Sequence, residues 1–149
     1  MIALAPEPID PAALLAALTA AAGGCGAIVS FTGVVRGDKD VSELWLDHHE
    51  RLTLGVVEEL ADDVRRRFEV SHVAIVHRIG SLQPGDPIVF VAAAAMHRRA
   101  AFDAVDFAMD RLKTSVPLWK RETRGDGHHW MEARAADHDD AARWDAGHG

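Results

Sequence analysis

Residues 87–96, PIVFVAAAAM, run for ten positions without a charge or a hydrogen-bonding side chain, and they restrict the fold more than any other segment. A run of this length is strand-sized and falls short of the roughly 18 apolar residues that a membrane span needs. A second apolar run, VSHVAIVHRI at 70–79, lies just upstream, and SLQPGD separates the two. Pro84-Gly85 suits the central positions of a type II turn, so the pair is expected to form a hairpin of two buried strands.

Helices are expected on either side of this pair in the chain. From Arg51 to Phe68 the apolar positions Leu52, Val56, Leu60, Val64 and Phe68 recur every four residues, with Glu58, Glu59, Asp62, Asp63 and Arg65 to Arg67 on the other side, the signature of an amphipathic helix. HRRAAFDAVDFAMDRLKTS repeats the pattern, with Phe102, Val105, Met109 and Leu112 on one stripe, and Pro117 forbids its continuation. Nearer the start, Asp10 as N-cap, Pro11 at the first helical position and Gly23 or Gly24 as the stop define a further helix. GAIVSFTGVV, rich in β-branched residues, is expected to be a buried strand, and VSELWLDHH a second with weak alternation. LWKRETRGDGHHWMEA predicts a terminal hairpin about Gly125-Asp126-Gly127. Beyond Ala133 the chain is acidic and unpatterned, either a frayed tail or a short helix whose Trp144 docks. The expected order α β β α β β α β β gives an α+β fold, helices packed on a largely antiparallel sheet. One domain over residues 1–134 is expected, followed by an acidic tail over 135–149.

Composition narrows the function. With 149 residues the chain is the size of one domain that needs no disulfide or structural metal. The lone Cys25 excludes an internal disulfide and any multi-cysteine metal site, as expected for a reducing compartment. No basic-then-apolar leader opens the chain, so a cytoplasmic protein away from membranes is expected. Sixteen Lys and Arg against 23 Asp and Glu give a net charge of −7, which would repel nucleic acid over most of the surface. An anionic ligand would therefore be small and met by a local cluster of cations.

Such clusters exist. His97, Arg98 and Arg99 fall at the start of the expected third helix, where cations oppose the macrodipole but where free N–H groups also suit an arriving phosphate or carboxylate; snorkelling into water is the alternative. Arg36 closes the first long strand. Lys113 lies in the last turn of the third helix and Lys120 on the strand after Pro117, facing opposite to Trp119 and alongside Glu122. Were the turn to fold this strand back, Lys113 and Lys120 would depress one another's pKa, burial would add to it, and Glu122 would hold one of them. A solvated pair is the alternative. The nine histidines offer no metal site by spacing: His48-His49 and His128-His129 are adjacent on expected strands and point apart. P-loop, GxGxxG and GxSxG patterns do not occur, and no resident cofactor is implied.

The series FTGVVR (31–36), VHRIGSLQPGDPIVFVAAAAMHR (76–98), FAMDRLKTSVPLWKRE (107–122) and WMEA (130–133) resembles the catalytic, large subunit of molybdopterin synthase. The resemblance covers roughly residues 8–134, with the motifs in order. It implies an α/β hammerhead-type fold and a homodimer that binds a small ubiquitin-like sulfur-carrier subunit at each end, a heterotetramer. The implied reaction is sulfur transfer from the carrier's C-terminal thiocarboxylate to cyclic pyranopterin monophosphate, forming the molybdopterin dithiolene. On this resemblance Lys113 is the catalytic lysine and Lys120 a second catalytic and substrate-contacting one. Val34, Val35, Arg36, His97, Arg98, Arg121 and Glu122 are the other substrate-binding positions, with Arg36, His97 and Arg98 candidates to act across a dimer. Two segments depart from the family pattern: GDKDV after Arg36 is short, and His49-Glu50-Arg51 replaces an aromatic and Pro-Gly stretch. The chain ends AGHG without Gly-Gly, so the carrier is expected to be a separate protein. Without the resemblance, the same basic pocket would also suit a phosphate-ester hydrolase, an acyltransferase, or a non-catalytic dimer holding an anionic metabolite.

Overall fold

The computed structural model describes residues 1–38 and 40–146. Lys39 of the GDKDV loop and the last three residues of AGHG lie outside the described residues.

The two apolar runs become β4 (His72–Arg78) and β6 (Pro87–Ala95), antiparallel neighbours in register from His72↔Ala94 to His77↔Val89. They form the centre of a four-stranded sheet in the order β1-β4-β6-β2. Both faces are covered, which is why neither strand alternates with polar residues. Val73, Ile75, Val89, Val91 and Ala93 pack with α2 (Glu50–Phe68) and α3 (Arg98–Thr114). Ala74, Val76, Phe90 and Ala92 pack on the other side, against Leu18 of α1 (Pro11–Ala21).

Several expectations change here. β2 (Ala27–Val34) is not a buried strand: it is the sheet's edge, paired only with β6, and Phe31 and Val34 are 41% and 51% exposed. Its β-branched composition suits a strand but does not say where in a sheet the strand sits. At the opposite edge β1 (Ile2–Ala5) runs parallel to β4, four residues being too few to show a period. On the helices, Leu52 and Phe102 are 54% exposed, off the apolar stripes expected of them. The observed stripes include small and polar residues that an apolar count passes over, Thr53 and Ala61 on α2 and Ala101, Ala104 and Ala108 on α3.

Instead of one sheet there are two. β3 (Glu43–His48), β5 (Gly80–Leu82), β7 (Leu118–Arg124) and β8 (Gly127–Met131) form a second one, in the order β5-β3-β7-β8. The link between β4 and β6 is therefore more than a turn. Gly80, at φ +78°, turns the corner, and residues 80–82 leave to pair with β3 before the tight turn at Pro84-Gly85 returns the chain. Gly85 has φ +94° and the Asp86 N–H donates to the Gln83 carbonyl at 3.0 Å, as a type II turn requires. Leu44, Leu46, Leu82 and Val35 make a small core beneath this second sheet.

The acidic end of the chain forms α4 (Ala135–Ala146). Its Trp144 packs edge-on against Phe68 and Phe107, and the indole N–H donates to Asp110 at 2.7 Å. Arg143 reaches Asp106 and Asp110 at 2.8 Å each. The mixed α/β architecture is thus four helices against two predominantly antiparallel sheets.

Candidate functional site

α3 ends at Ser115, whose N–H closes on the Arg111 carbonyl at 2.8 Å, and Pro117 then turns the chain into β7. That turn is held from a distance. Thr53, fully buried on α2, donates its hydroxyl to the Pro117 carbonyl at 2.9 Å and accepts the His49 N–H at 3.1 Å. A hydrogen bond of this kind contributes about 0.5–1.5 kcal/mol, and it ties the start of β7 to α2. β7 then pairs with β3, Leu46 opposite Lys120 and Leu44 opposite Glu122.

The result is a cleft of about 780 Å³ between the ends of the two sheets and the end of α3. Val34, Val35, Arg36, Lys113, Lys120 and Glu122 all line it, together with His77, Met109, Arg134 and Asp137. Three of the expected residues are placed elsewhere. His97 is the exposed N-cap of α3 and Arg98 the exposed first residue, at the end of that helix far in sequence from Lys113; neither lines the cleft of its own chain. Arg121 departs for a simpler reason: neighbours on a strand face opposite ways. Its guanidinium sits on the outer face of the second sheet between Trp45 and Trp130, 5.7 Å from each ring centroid.

Lys120 is the lysine of the cleft whose proton affinity is lowered. Burial depresses its pKa, the Lys113 ammonium depresses it further, and Arg134 and Arg36 add to this against the opposing pull of Asp137. The amine therefore loses its proton more readily than an ordinary lysine. Lys113, in contrast, has a carboxylate partner. Its Nζ donates to Asp137 Oδ1 at 3.2 Å. Burial pushes the Asp137 carboxyl up, but the Arg134 N–H and the Lys113 ammonium outweigh it and the net shift is downward. Glu122, the expected holder of a lysine, is instead engaged by the Arg124 guanidinium at 2.6 Å on its own strand face.

Sequence reasoning missed His77, Arg134 and Asp137. His77 sits at the end of β4, 6% exposed, with Nδ1 2.7 Å from the Arg78 carbonyl. A carbonyl can only accept, so the proton is on Nδ1 and Nε2 keeps its lone pair. Burial, with the Lys120 cation beside it, holds the imidazole pKa at about 4 despite that hydrogen bond, so the ring is neutral near pH 7. Its position within VHRIG was on the page, but a histidine in an apolar strand carries no local sign of what it faces. Arg134 and Asp137 lie where the sequence shows only acidic, unpatterned composition. Among the described residues no group of three or more His, Cys, Asp or Glu could hold a metal, and no helix is long and apolar enough to cross a membrane.

A neutral imidazole, a proton-labile amine, an ion-paired ammonium and two arginines around one cleft suit an anionic substrate and a reaction that moves protons. Residues 4–115 match the family described as MoaE protein. The chain is similar to the molybdopterin synthase catalytic subunit of Pseudomonas aeruginosa, 43% identical over 139 residues that span 91% of this chain and 93% of that one. It is 46% identical to the molybdopterin synthase catalytic subunit of Escherichia coli K12 over 123 residues, 80% and 81% of the two chains. The solved structure of molybdopterin cofactor biosynthesis protein E from Burkholderia multivorans superposes with a TM-score of 0.84 at 39% identity, covering 97% of this chain and 96% of that one.

Proposed function

The chain belongs to the MoaE protein family, and from that premise we propose that it is the catalytic subunit of a molybdopterin synthase, a sulfur-transferring enzyme of molybdenum cofactor biosynthesis. Its substrates are cyclic pyranopterin monophosphate and a small ubiquitin-like carrier whose C-terminal glycine bears a thiocarboxylate. The observation that carries the proposal is the convergence of Lys113, Lys120, Arg36 and Arg134 on one cleft of a chain whose net charge is −7. Both substrates are anions at their reacting ends, and a local cationic cleft within an acidic surface selects small anions over polyanions.

In this reading the guanidinium of Arg36 and the ammonium of Lys113 hold phosphate and carboxyl oxygens by charge-assisted hydrogen bonds. Lys120, whose amine gives up its proton more readily than an ordinary lysine's, serves as the proton-transferring group. The thiocarboxylate sulfur displaces an oxygen function of the pterin side chain, which leaves as water, and hydrolysis of the resulting thioester releases the carrier as a carboxylate. Proton transfer is given to Lys120 and not to Lys113 because Asp137 pairs with Lys113 and the pKa depression falls on Lys120. Val34, Val35 and Glu122 shape the walls. His97 and Arg98, exposed at the start of α3, would reach a substrate only in the cleft of a second copy, which is the role a homodimer gives them. A carrier bound to each copy completes a heterotetramer, a cytoplasmic one in this reading.

The test is reconstitution. The protein, mixed with a thiocarboxylated carrier and cyclic pyranopterin monophosphate, should yield the dithiolene, detected by its oxidised fluorescent derivative. No product with a competent carrier, or product formation that needs no carrier, would overturn the proposal.

A further inference from the structure

The acidic segment after Ala133 brings Arg134 and Asp137 to the cleft, and many contacts hold it in place. α4 lies along α3, the helix that carries Lys113. Trp144 is seated between Phe68 and Phe107, Arg143 is tied to Asp106 and Asp110, and Arg111 of α3 reaches Asp145. At the other end of α4 the two oxygens of Asp137 are divided. Oδ2 accepts the Arg134 N–H at 3.1 Å, half of a capping box at the helix start, and Oδ1 accepts from Lys113 Nζ at 3.2 Å. The Asp137 side chain is 12% exposed, within the cleft and not on an outer surface.

We propose that Asp137 is a positioning residue of the reaction: from the first turn of α4 it ion-pairs Lys113, fixes that lysine as a placed ammonium donor, and so separates its role from that of Lys120. This rests on the reading of the cleft as a sulfur-transfer site. Two like amines in one cleft do not by themselves differentiate; a carboxylate held against one of them does. The charged groups that bear on the pair are Asp137 and Arg134 from α4 and its approach, Arg36 after β2, and the lysines themselves. His77 of β4, Glu122 with Arg124 on β7, and the exposed Asp38 and Glu132 complete the cleft's ionisable lining.

Asp137→Asn keeps an oxygen for the Arg134 N–H but removes the charge, and Asp137→Glu keeps the charge. Asp139→Asn makes the same charge change on the same helix, at an exposed position outside the cleft. Turnover is measured against pH for all three, and the ordering of the Lys113 side chain is read in parallel by NMR relaxation of its Cε methylene, which needs no activity. Expected for Asp137→Asn is a kcat lower by about tenfold, with the KM for the pterin changed less than about twofold. The alkaline limb of the rate profile should move to lower pH, because Asp137 also raises the Lys120 pKa, and the Lys113 side chain should lose order. Asp137→Glu should recover most of the rate and Asp139→Asn should follow the wild type. If the wild type turns over and Asp137→Asn matches it in rate and profile, the inference is overturned. If the wild type gives no product with a competent carrier, the functional reading fails and the NMR arm decides the placement alone. A Lys113 side chain less ordered in Asp137→Asn than in the wild type then supports it, and an unchanged one overturns it.

Discussion

Trp144 of α4 stands edge-on to Phe107 of α3, ring centroids 5.4 Å apart and planes at 90°, while its N–H reaches Asp110 of the same helix. One side chain thus anchors the last helix to the element that presents Lys113. Trp144→Ala removes the aromatic contacts and leaves the Asp110 carboxylate without that donor. The indole is partly exposed, so the expected cost is at the lower end for large-to-small changes, about 2–3 kcal/mol. Thermal unfolding should show a lowered Tm, and limited proteolysis should cut after Arg134 first.

His77 gives the protein a specific acid sensitivity. Its pKa falls from 6.5 to about 4 on folding, so between those values the unfolded chain binds the proton and the folded one does not. Stability associated with this group is complete above pH 6.5 and is lost as pH falls toward 4, by about 3 kcal/mol in all. His77→Gln, which cannot titrate, should flatten that part of the stability profile relative to wild type. Urea unfolding at pH 7.5, 6, 5 and 4.5 checks it; parallel profiles for the two proteins would refute the assignment.

Lys113→Ala should abolish dithiolene formation and leave far-UV circular dichroism unchanged, since the side chain is largely at the cleft surface and buries little. Near-normal turnover would remove Lys113 from the machinery.

Lys120 should acylate at a lower pH than an ordinary lysine amine, because burial and the neighbouring Lys113 ammonium favour its neutral form. Competitive labelling with acetic anhydride across pH 7–10, read by peptide mass spectrometry, measures this directly. In Lys113→Ala one cation is gone, and the Lys120 labelling curve should return toward higher pH.

Thr53→Val keeps shape and removes the hydroxyl shared by the Pro117 carbonyl and the His49 N–H. Two part-buried partners lose a bond, a loss of about 1–2 kcal/mol. Because Pro117 starts the strand that carries Lys120, turnover should fall more than the stability loss explains at a temperature where the variant is fully folded. A variant that lost stability but kept the wild-type kcat would show that the turn tolerates the change.

How much of this was legible differs from element to element. The β4–β6 pair, the type II turn at Pro84-Gly85, the caps at Asp10 and Pro11 and the hairpin at Gly125-Asp126 follow from period, ring closure and local sterics, all properties of a few adjacent residues. The opposition of Lys120 to Trp119 and Arg121 follows from the strand's period of two. What the periods do not contain is which strand lies at an edge, and β2 looked like a core strand for that reason. Nor could they show that the chain splits into two sheets at Gly80, since a corner of three residues leaves no pattern.

The cleft was legible only in part. Lys113, Lys120 and Arg36 stood out as cations among apolar residues near strand and helix ends, and the family resemblance gave them roles. Their electrostatics did not follow, because the deciding partners are remote in the chain: Asp137 is 24 residues from Lys113, and Thr53 is 64 from Pro117. Period, capping and turn chemistry between near neighbours set the local elements, and the order of residues sets where the charges stand along the chain. Only tertiary structure decided which amine is buried beside a cation and which is given a carboxylate, because Coulomb energy and desolvation depend on distance through space and on burial, neither of which is a property of neighbours along the chain.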